Sequence, residues 1–478
     1  MATRATSRVF ARRLLFSAVF AAFGAHGAVD MVPAVSVGFV RTDNIGISRT
    51  APQAETVYQL IPALDITQES ERVSSSVAYR LENYFYRGRD DSEHYNVFIG
   101  QTTFELDPDN FFLDLGASRG PTVRDPDQPI APGNLYLNPN RTDRIVYLLQ
   151  PSFHYPAGRN VTFDGSYRRQ WVRFDEDETD PLLDDYQQET YASFGVNNFR
   201  RGRGLAWAIG YDSEKVEIGR ALPWEIRRAT VQLGGWVTES LRMFGSGGKE
   251  SPWDRPFDPG LEDEFWEVGL TYNLRDRFSA EFARGERSFG DSLRGTLTYA
   301  FTRAQTSLTY VERGALQGRN PFGRRVFELP EGPDDLLTTP GMAERFVQER
   351  LEWDITFQLR RTDLTVRVFD EDRLDRVDVD GQPLGDEQQA GLGFDLRLLA
   401  GRRTTFIVGG DLLERDTERD IAADRTYMTL EIGVEYELGP RTLVRAGYVH
   451  LSDEADDQPE FGYRANTISA MLTRTFGR

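Results

Sequence analysis

Four histidines, His26, His94, His154 and His450, are the side chains of this chain suited to proton transfer near neutral pH. His450 stands just before Asp453 and Glu454, and His94 directly follows Glu93. A hydrolase built on such a residue needs a serine or a carboxylate held against the imidazole. No Gly-x-Ser-x-Gly elbow and no phosphate-binding glycine loop accompanies them. The histidines therefore read as rim residues, no catalytic residue is expected, and the chain is not expected to be an enzyme.

A second candidate is the stretch RVDVDGQPLGDE. Asp378, Asp380, Gly381 and Glu387 follow the spacing of a calcium-binding loop, with Arg376 where the first carboxylate ligand belongs. A guanidinium at that position defeats binding of this type, and Asp380-Gly381 reads as a turn in an acidic loop. The acidic run Asp175–Asp185 reads as a solvated loop, with divalent ions bridging it to lipopolysaccharide as the alternative. No metal site and no cofactor are expected.

The elements that carry these residues are legible from composition and period. The chain has 478 residues, 12% of them aromatic, so it is not disordered. No apolar run beyond the N-terminus approaches the roughly 20 residues of a membrane-spanning helix. There is no cysteine, which excludes disulfides and zinc–thiolate sites. The net charge of −19 argues against nucleic acid as a partner. All but two of the 56 basic residues are arginine, the exceptions being Lys215 and Lys249.

Residues 1–27 read as a bacterial secretory signal peptide. Arg4, Arg8, Arg12 and Arg13 precede the apolar run Leu14–Phe23, and Ala25 and Gly27 stand at the cleavage spacing. Cleavage after Gly27 would leave 28–478 as the mature chain.

Along that mature chain one pattern repeats. Val347, Glu349, Leu351, Trp353, Ile355, Phe357 and Leu359, almost wholly apolar, alternate with Phe346, Gln348, Arg350, Glu352, Asp354, Thr356, Gln358 and Arg360, almost wholly polar. Met428, Leu430, Ile432, Val434, Tyr436 and Leu438 alternate in the same way with Thr429, Glu431, Gly433, Glu435 and Glu437. Period two means strands with one apolar and one polar face. The connections also alternate. Short ones such as Asp107–Asn110, Arg360–Asp363 and Gly439–Arg441 take turns with long polar ones such as Arg119–Thr142 and Gly314–Glu344.

Short turns at one end and long loops at the other predict an all-β fold, a single transmembrane antiparallel up-and-down barrel of about 22 strands, range 18–24. Soluble sandwiches and propellers also use period two but lack that asymmetry. The barrel places the chain in the bacterial outer membrane, short turns in the periplasm and long loops outside. The last strand carries Ile468, Ala470, Leu472 and Phe476 on one face, a pattern resembling the signal read by the barrel-assembly machinery.

Apolar faces would meet lipid and polar faces a lumen. Arg350, Glu352, Asp354, Arg360, Arg367, Asp395, Arg397, Glu431 and Glu435 fall on the polar face and are the expected pore-lining residues. Side chains on so wide a wall cannot fill the lumen, so either an open pore or a plug from the 314–344 loop is expected.

The stretch Val35–Arg87, with its Thr42–Ile45 turn, "PALDIT" and "VAYRLENYFY", resembles the PEP-CTERM-system-associated outer-membrane proteins, relatives of β-barrel porins of exopolysaccharide loci. "GWVTESLRMFGSGG" (Gly235–Gly248) carries the likeness further along. The resemblance implies an outer-membrane barrel linked to polysaccharide export or surface-protein sorting, by analogy only. The expected function is a passive channel or export conduit. The alternative is a structural or adhesive barrel working through its acidic loops. Expected partners are outer-membrane lipid and lipopolysaccharide, the barrel-assembly machinery and periplasmic polysaccharide-export components.

Overall fold

Alternating side chains and tight turns favour antiparallel neighbours, and every neighbour here is one. The computed structural model describes residues 28–477 apart from 90–91, 124–133, 138–139, 159, 176–186, 199–204, 219–222, 255–259, 276, 318–343, 379–380, 419–423 and 456–461. The expected signal peptide, the acidic run 176–185, Asp380 and most of the 314–344 loop lie outside the described residues.

The strands are β1 (Ala28–Thr42), β2 (Glu55–Glu69), β3 (Val73–Tyr86), β4 (Ser92–Asp107), β5 (Phe111–Val123), β6 (Arg141–Ala157) and β7 (Val161–Asp175). They continue as β8 (Gln187–Asn197), β9 (Leu205–Ile218), β10 (Trp224–Trp236), β11 (Leu241–Glu250), β12 (Asp263–Leu274), β13 (Phe278–Arg287), β14 (Gly290–Ala300) and β15 (Ala304–Gln317). The last seven are β16 (Glu344–Gln358), β17 (Thr362–Asp378), β18 (Glu387–Leu399), β19 (Thr404–Thr417), β20 (Arg425–Gly439), β21 (Thr442–Ala455) and β22 (Tyr463–Thr475).

Each strand pairs with its sequence neighbours, and β1 pairs with β22 from Ala34↔Thr475 to Thr42↔Thr467, closing a 22-stranded sheet. Closure satisfies every edge, the requirement for crossing lipid with strands. Large apolar side chains stand exposed on the outer face. Examples are Leu351, Trp353 and Leu359 on the β16 side, Leu392 and Phe394 on β18, and Met428, Ile432 and Tyr436 on β20. In water such a surface would cost about 25 cal/mol per Å²; against lipid it is at rest. The apolar faces read from the alternation are the lipid faces.

Turns explain the short end. The β4–β5 turn holds Asp109 at φ 63 and closes with Asn110 N donating to Asp107 O at 3.0 Å. The β6–β7 turn uses Gly158 at φ 73. The opposite end is less uniform than the sequence suggests: β13 and β14 are joined there by Ser288 and Phe289 alone.

Candidate functional site

The inner wall is built by register. Across β16–β17, Arg350 faces Glu371 and Asp354 faces Arg367. Across β17–β18, Arg373 faces Glu387, and across β18–β19, Gln389 faces Arg415. Directly opposed side chains lie close enough to pair, and these do. Arg350 reaches Glu371 Oε2 through Nη1 at 2.7 Å and Glu352 Oε2 through Nε at 2.9 Å, and Arg367 Nε reaches Asp354 Oδ1 at 3.0 Å.

Two zones follow from depth. Near the long-loop end the ions are buried. Glu387 accepts from Arg415 at 2.8 Å and from Arg373 and Arg376 at 3.1 Å each, and Glu371 pairs with Arg373 at 2.6 Å. The outward apolar belt of β18 starts at Leu392, so Glu387 lies beyond the membrane-spanning part. Burial alone would raise its pKa; Arg415, Arg373 and Arg376 outweigh that and hold the carboxyl at about 2. With its carboxylate enclosed by three guanidiniums, one of them Arg376 itself, Glu387 serves ion pairs in the position where a calcium loop would present a ligand.

Deeper in the wall the ions face water. Arg367 and Arg445 are 42% and 45% exposed, and Arg445 reaches Glu431 at 2.6 Å and Glu435 at 3.8 Å. On the β11–β14 side Arg294 pairs with Glu267 at 2.9 Å and with Glu281.

Inward phenylalanines sit under these arginines. Arg350 lies 4.1 Å above the Phe369 ring and Arg294 5.7 Å above Phe244. The rings lie flat over glycine. A Cβ on Gly391 would stand 2.2 Å from Phe369, and one on Gly269 would stand 2.5 Å from Phe244. Neither position tolerates a larger residue without moving its ring.

The remaining wall, β22 and β1–β8, carries inward ions of its own, among them Arg80 beside Glu82 and Asp164 beside His154, but fewer Arg–carboxylate pairs among the described residues. Its inward pairs include Ser36–Thr473 and Ser166–Ser193, hydroxyl to hydroxyl at 2.8 Å each. At the long-loop end of this wall two connections fold into the barrel. Ile45 and Ile47, from the β1–β2 connection, pack with Tyr136, from the β5–β6 connection, onto inward-facing Val57, Tyr84, Tyr86, Leu451 and Tyr463. Leu137 N donates to Ile45 O at 2.9 Å. Asn134 Nδ2 and Tyr84 OH both donate to Glu82 Oε2, at 2.8 and 2.9 Å. The Tyr136 hydroxyl meets Thr467 Oγ1 at 2.8 Å. Burial pushes the Tyr136 phenol up to about 12, so it stays protonated and hydrogen-bonded at neutral pH. By sequence Ile45 stands out only as the end of the Thr42–Ile45 turn, and Ile47 and Tyr136 are not singled out; an isoleucine pair and a tyrosine inside polar loops are the signal that could have found them.

Of the residues expected to line a pore, Arg350, Glu352, Asp354, Arg367, Asp395, Arg397, Glu431 and Glu435 occupy inward positions of β16, β17, β18 and β20. Arg360 does not: it stands exposed in the turn between β16 and β17. Ile468, Ala470 and Leu472 lie on the outer face of β22, and Phe476, just past the strand, donates its backbone N to Pro33 O at 2.7 Å.

The histidines are not gathered into one site. His154 Nδ1 lies 2.5 Å from Asp164 Oδ1 across β6–β7, exposed near the short-turn end. His450 bonds Asn466 at 2.9 Å on the outer face, so its neighbours Asp453 and Glu454 are not its partners.

No protein-family model and no curated protein matches the sequence. Among solved structures the chain is similar to the FrpB iron transporter of Neisseria meningitidis (F5-1 variant), with 7% identity, 94% of this chain and 82% of that chain covered, and a TM-score of 0.51. It is also similar to a point mutant of the ferric enterobactin receptor PfeA of Pseudomonas aeruginosa, at 11% identity, covering 94% of this chain and 81% of that one, TM-score 0.49. The siderophore receptor PirA of the same organism covers 94% and 80% at 11% identity and TM-score 0.45. At such identity the likeness to the Neisseria structure is one of fold, and it agrees with the closed antiparallel barrel described above.

Proposed function

We propose that the protein is a bacterial outer-membrane channel or export conduit whose working surface is the ionic inner wall. The observation that carries this is the row of water-exposed Arg–carboxylate pairs, Arg294–Glu267, Arg367–Asp354 and Arg445–Glu431, inside a closed apolar-coated barrel. Paired charges hydrated along a wall attract ions and polar chains of either sign without trapping them. The resemblance of Val35–Arg87 to barrels of the PEP-CTERM system adds extracellular polysaccharide as the proposed cargo class and periplasmic export components as proposed partners. The names of the structural neighbours suggest iron or siderophore uptake as a competing cargo.

The test is single-channel conductance of the refolded mature chain in a planar bilayer, with an acidic polysaccharide and a ferric siderophore added in turn. Steady current with block by the polysaccharide supports the conduit. Block by the siderophore alone moves the cargo to iron. Absence of current, in the intact chain and after deletion of 318–343, removes the channel. A second reading, a structural or adhesive barrel, is favoured by the inward packing of Ile45, Ile47 and Tyr136, which narrows the mouth. Lack of current together with loss of surface attachment on trimming the loops would support it.

A further inference from the structure

Inside the barrel Arg350, Arg373 and Arg415 are met by carboxylates, whereas among the described residues a set of arginines on the short-turn rim is not. The β12–β13 turn carries Arg275 and Arg277, and the β14–β15 turn carries Arg303. The next three short turns carry Arg360 with Arg361, Arg402 with Arg403, and Arg441. All are exposed, and among the described residues none of their guanidiniums has an ion-pair or hydrogen-bond partner. The strand-end carboxylates beside them, Asp363 and Glu437, occupy inward positions; Asp276, between Arg275 and Arg277, lies outside the described residues. This is a chain of net charge −19, so an unmatched basic arc on one rim is not a consequence of overall composition.

Its place in the fold identifies what it meets. At each of these turns a large exposed apolar residue of the outer face stands one to four positions ahead of the first arginine: Leu274, Phe301, Leu359, Leu398 and Leu438. The apolar belt therefore ends where the guanidiniums begin, at the depth of lipid headgroups. The arc follows the circumference through five successive short turns instead of gathering into one patch, as a protein footprint would. Guanidinium is planar and binds phosphate oxygens in pairs, and an anionic leaflet attracts basic residues held at its surface.

We propose that this arc is a binding surface for the phosphate groups of anionic phospholipids in the leaflet on the short-turn side. It fixes the vertical position of the β12–β21 wall in the membrane. The inference rests on the barrel spanning a membrane and is independent of what the lumen carries.

The experiment is native mass spectrometry of the refolded mature protein in detergent, titrated with phosphatidylglycerol or phosphatidylcholine. The wild type is expected to retain phosphatidylglycerol over phosphatidylcholine by about fivefold or more, a preference that weakens with added salt. The R360Q/R361Q/R402Q/R403Q variant loses most of the preference, while R87Q/R89Q, at the other end, keeps it. Heat-shifted migration on gels confirms that each variant is a folded barrel. Equal retention of phosphatidylglycerol by wild type and the fourfold variant overturns the proposal. So does tight binding of soluble polyglutamate by a wild type without lipid preference, which would assign the arc to an acidic periplasmic partner.

Discussion

The wall from β9 to β21 and the wall from β22 through β8 belong to one barrel and share one alternation, yet their inner faces are made differently. The first is laced with Arg–carboxylate pairs, buried at the long-loop end around Glu371 and Glu387 and hydrated lower down at Arg367 and Arg445. The second has fewer such pairs among the described residues and adds hydroxyl pairs such as Ser36–Thr473 and Ser166–Ser193, and its mouth is covered by inward loops. Under the loops the one carboxylate enclosed with them that the contacts describe, Glu82, is held by Asn134 and Tyr84 in place of water. An apolar loop core can rest on a wall whose polar groups are satisfied within the protein, whereas a hydrated ion pair needs water beside it. Passage along the barrel is accordingly expected off-centre, beside the ionic wall.

The largest test of this contrast is Glu387→Gln. It leaves Arg373, Arg376 and Arg415 without their shared carboxylate and is expected to cost about 3–5 kcal/mol in urea unfolding of the reconstituted barrel. A cost under about 1 kcal/mol would mean the buried network is not a structural keystone. The pH dependence has a definite sign. The folded pKa of about 2 lies below the usual 4.5, so the contribution is complete above pH 4.5 and fades as pH falls toward 2. Unfolding midpoints should hold between pH 7 and 5 and drop below that window.

On the loop-covered wall, Asn134→Ala removes one donor from the buried Glu82 carboxylate, and a loss of about 2 kcal/mol is expected. Conductance should rise in the same variant if the loop narrows the mouth. An unchanged conductance would separate loop packing from passage. Removing charge from the hydrated zone with E352Q/D354N should shift the reversal potential toward anions, on the order of fivefold in permeability ratio. Adding a charge to the loop-covered wall with S166R should shift it much less, and equal shifts would erase the off-centre path. The smallest effect lies on the outer face, where Glu312, Glu349 and Asp372 stand opposite one another across β15–β17. Like charges so placed repel, and Glu349→Gln should stabilise by about 0.5 kcal/mol.

Much of the fold was legible because period two is a local property. Leu351 and Trp353 declare their face to the sequence reader before any partner is known. The members of the inner wall were legible for the same reason, apart from Arg360, whose alternation runs into a turn. Partners were not. Arg350 finds Glu371 on the next strand, and Glu387 finds Arg415 across a hairpin, through registers that no local pattern displays. His450 was placed by its sequence neighbours and instead bonds Asn466, because Asp453 points inward while the imidazole points outward. Glu387 looked like a loop residue in a calcium motif, since its spacing was visible and its three guanidiniums were not.

The sequence by itself determined that this is a barrel, which side chains face lipid, and where the short turns lie. Each of these depends on a residue and its next few neighbours, and the physics of a pleated strand in lipid leaves no other arrangement. Only the tertiary structure decided which ions are buried or hydrated, that the β1–β2 and β5–β6 connections fold inward, and that the turn arginines form one unpartnered arc. Those outcomes depend on which strands become adjacent and at what depth, and adjacency around a closed sheet is a property of the whole ring.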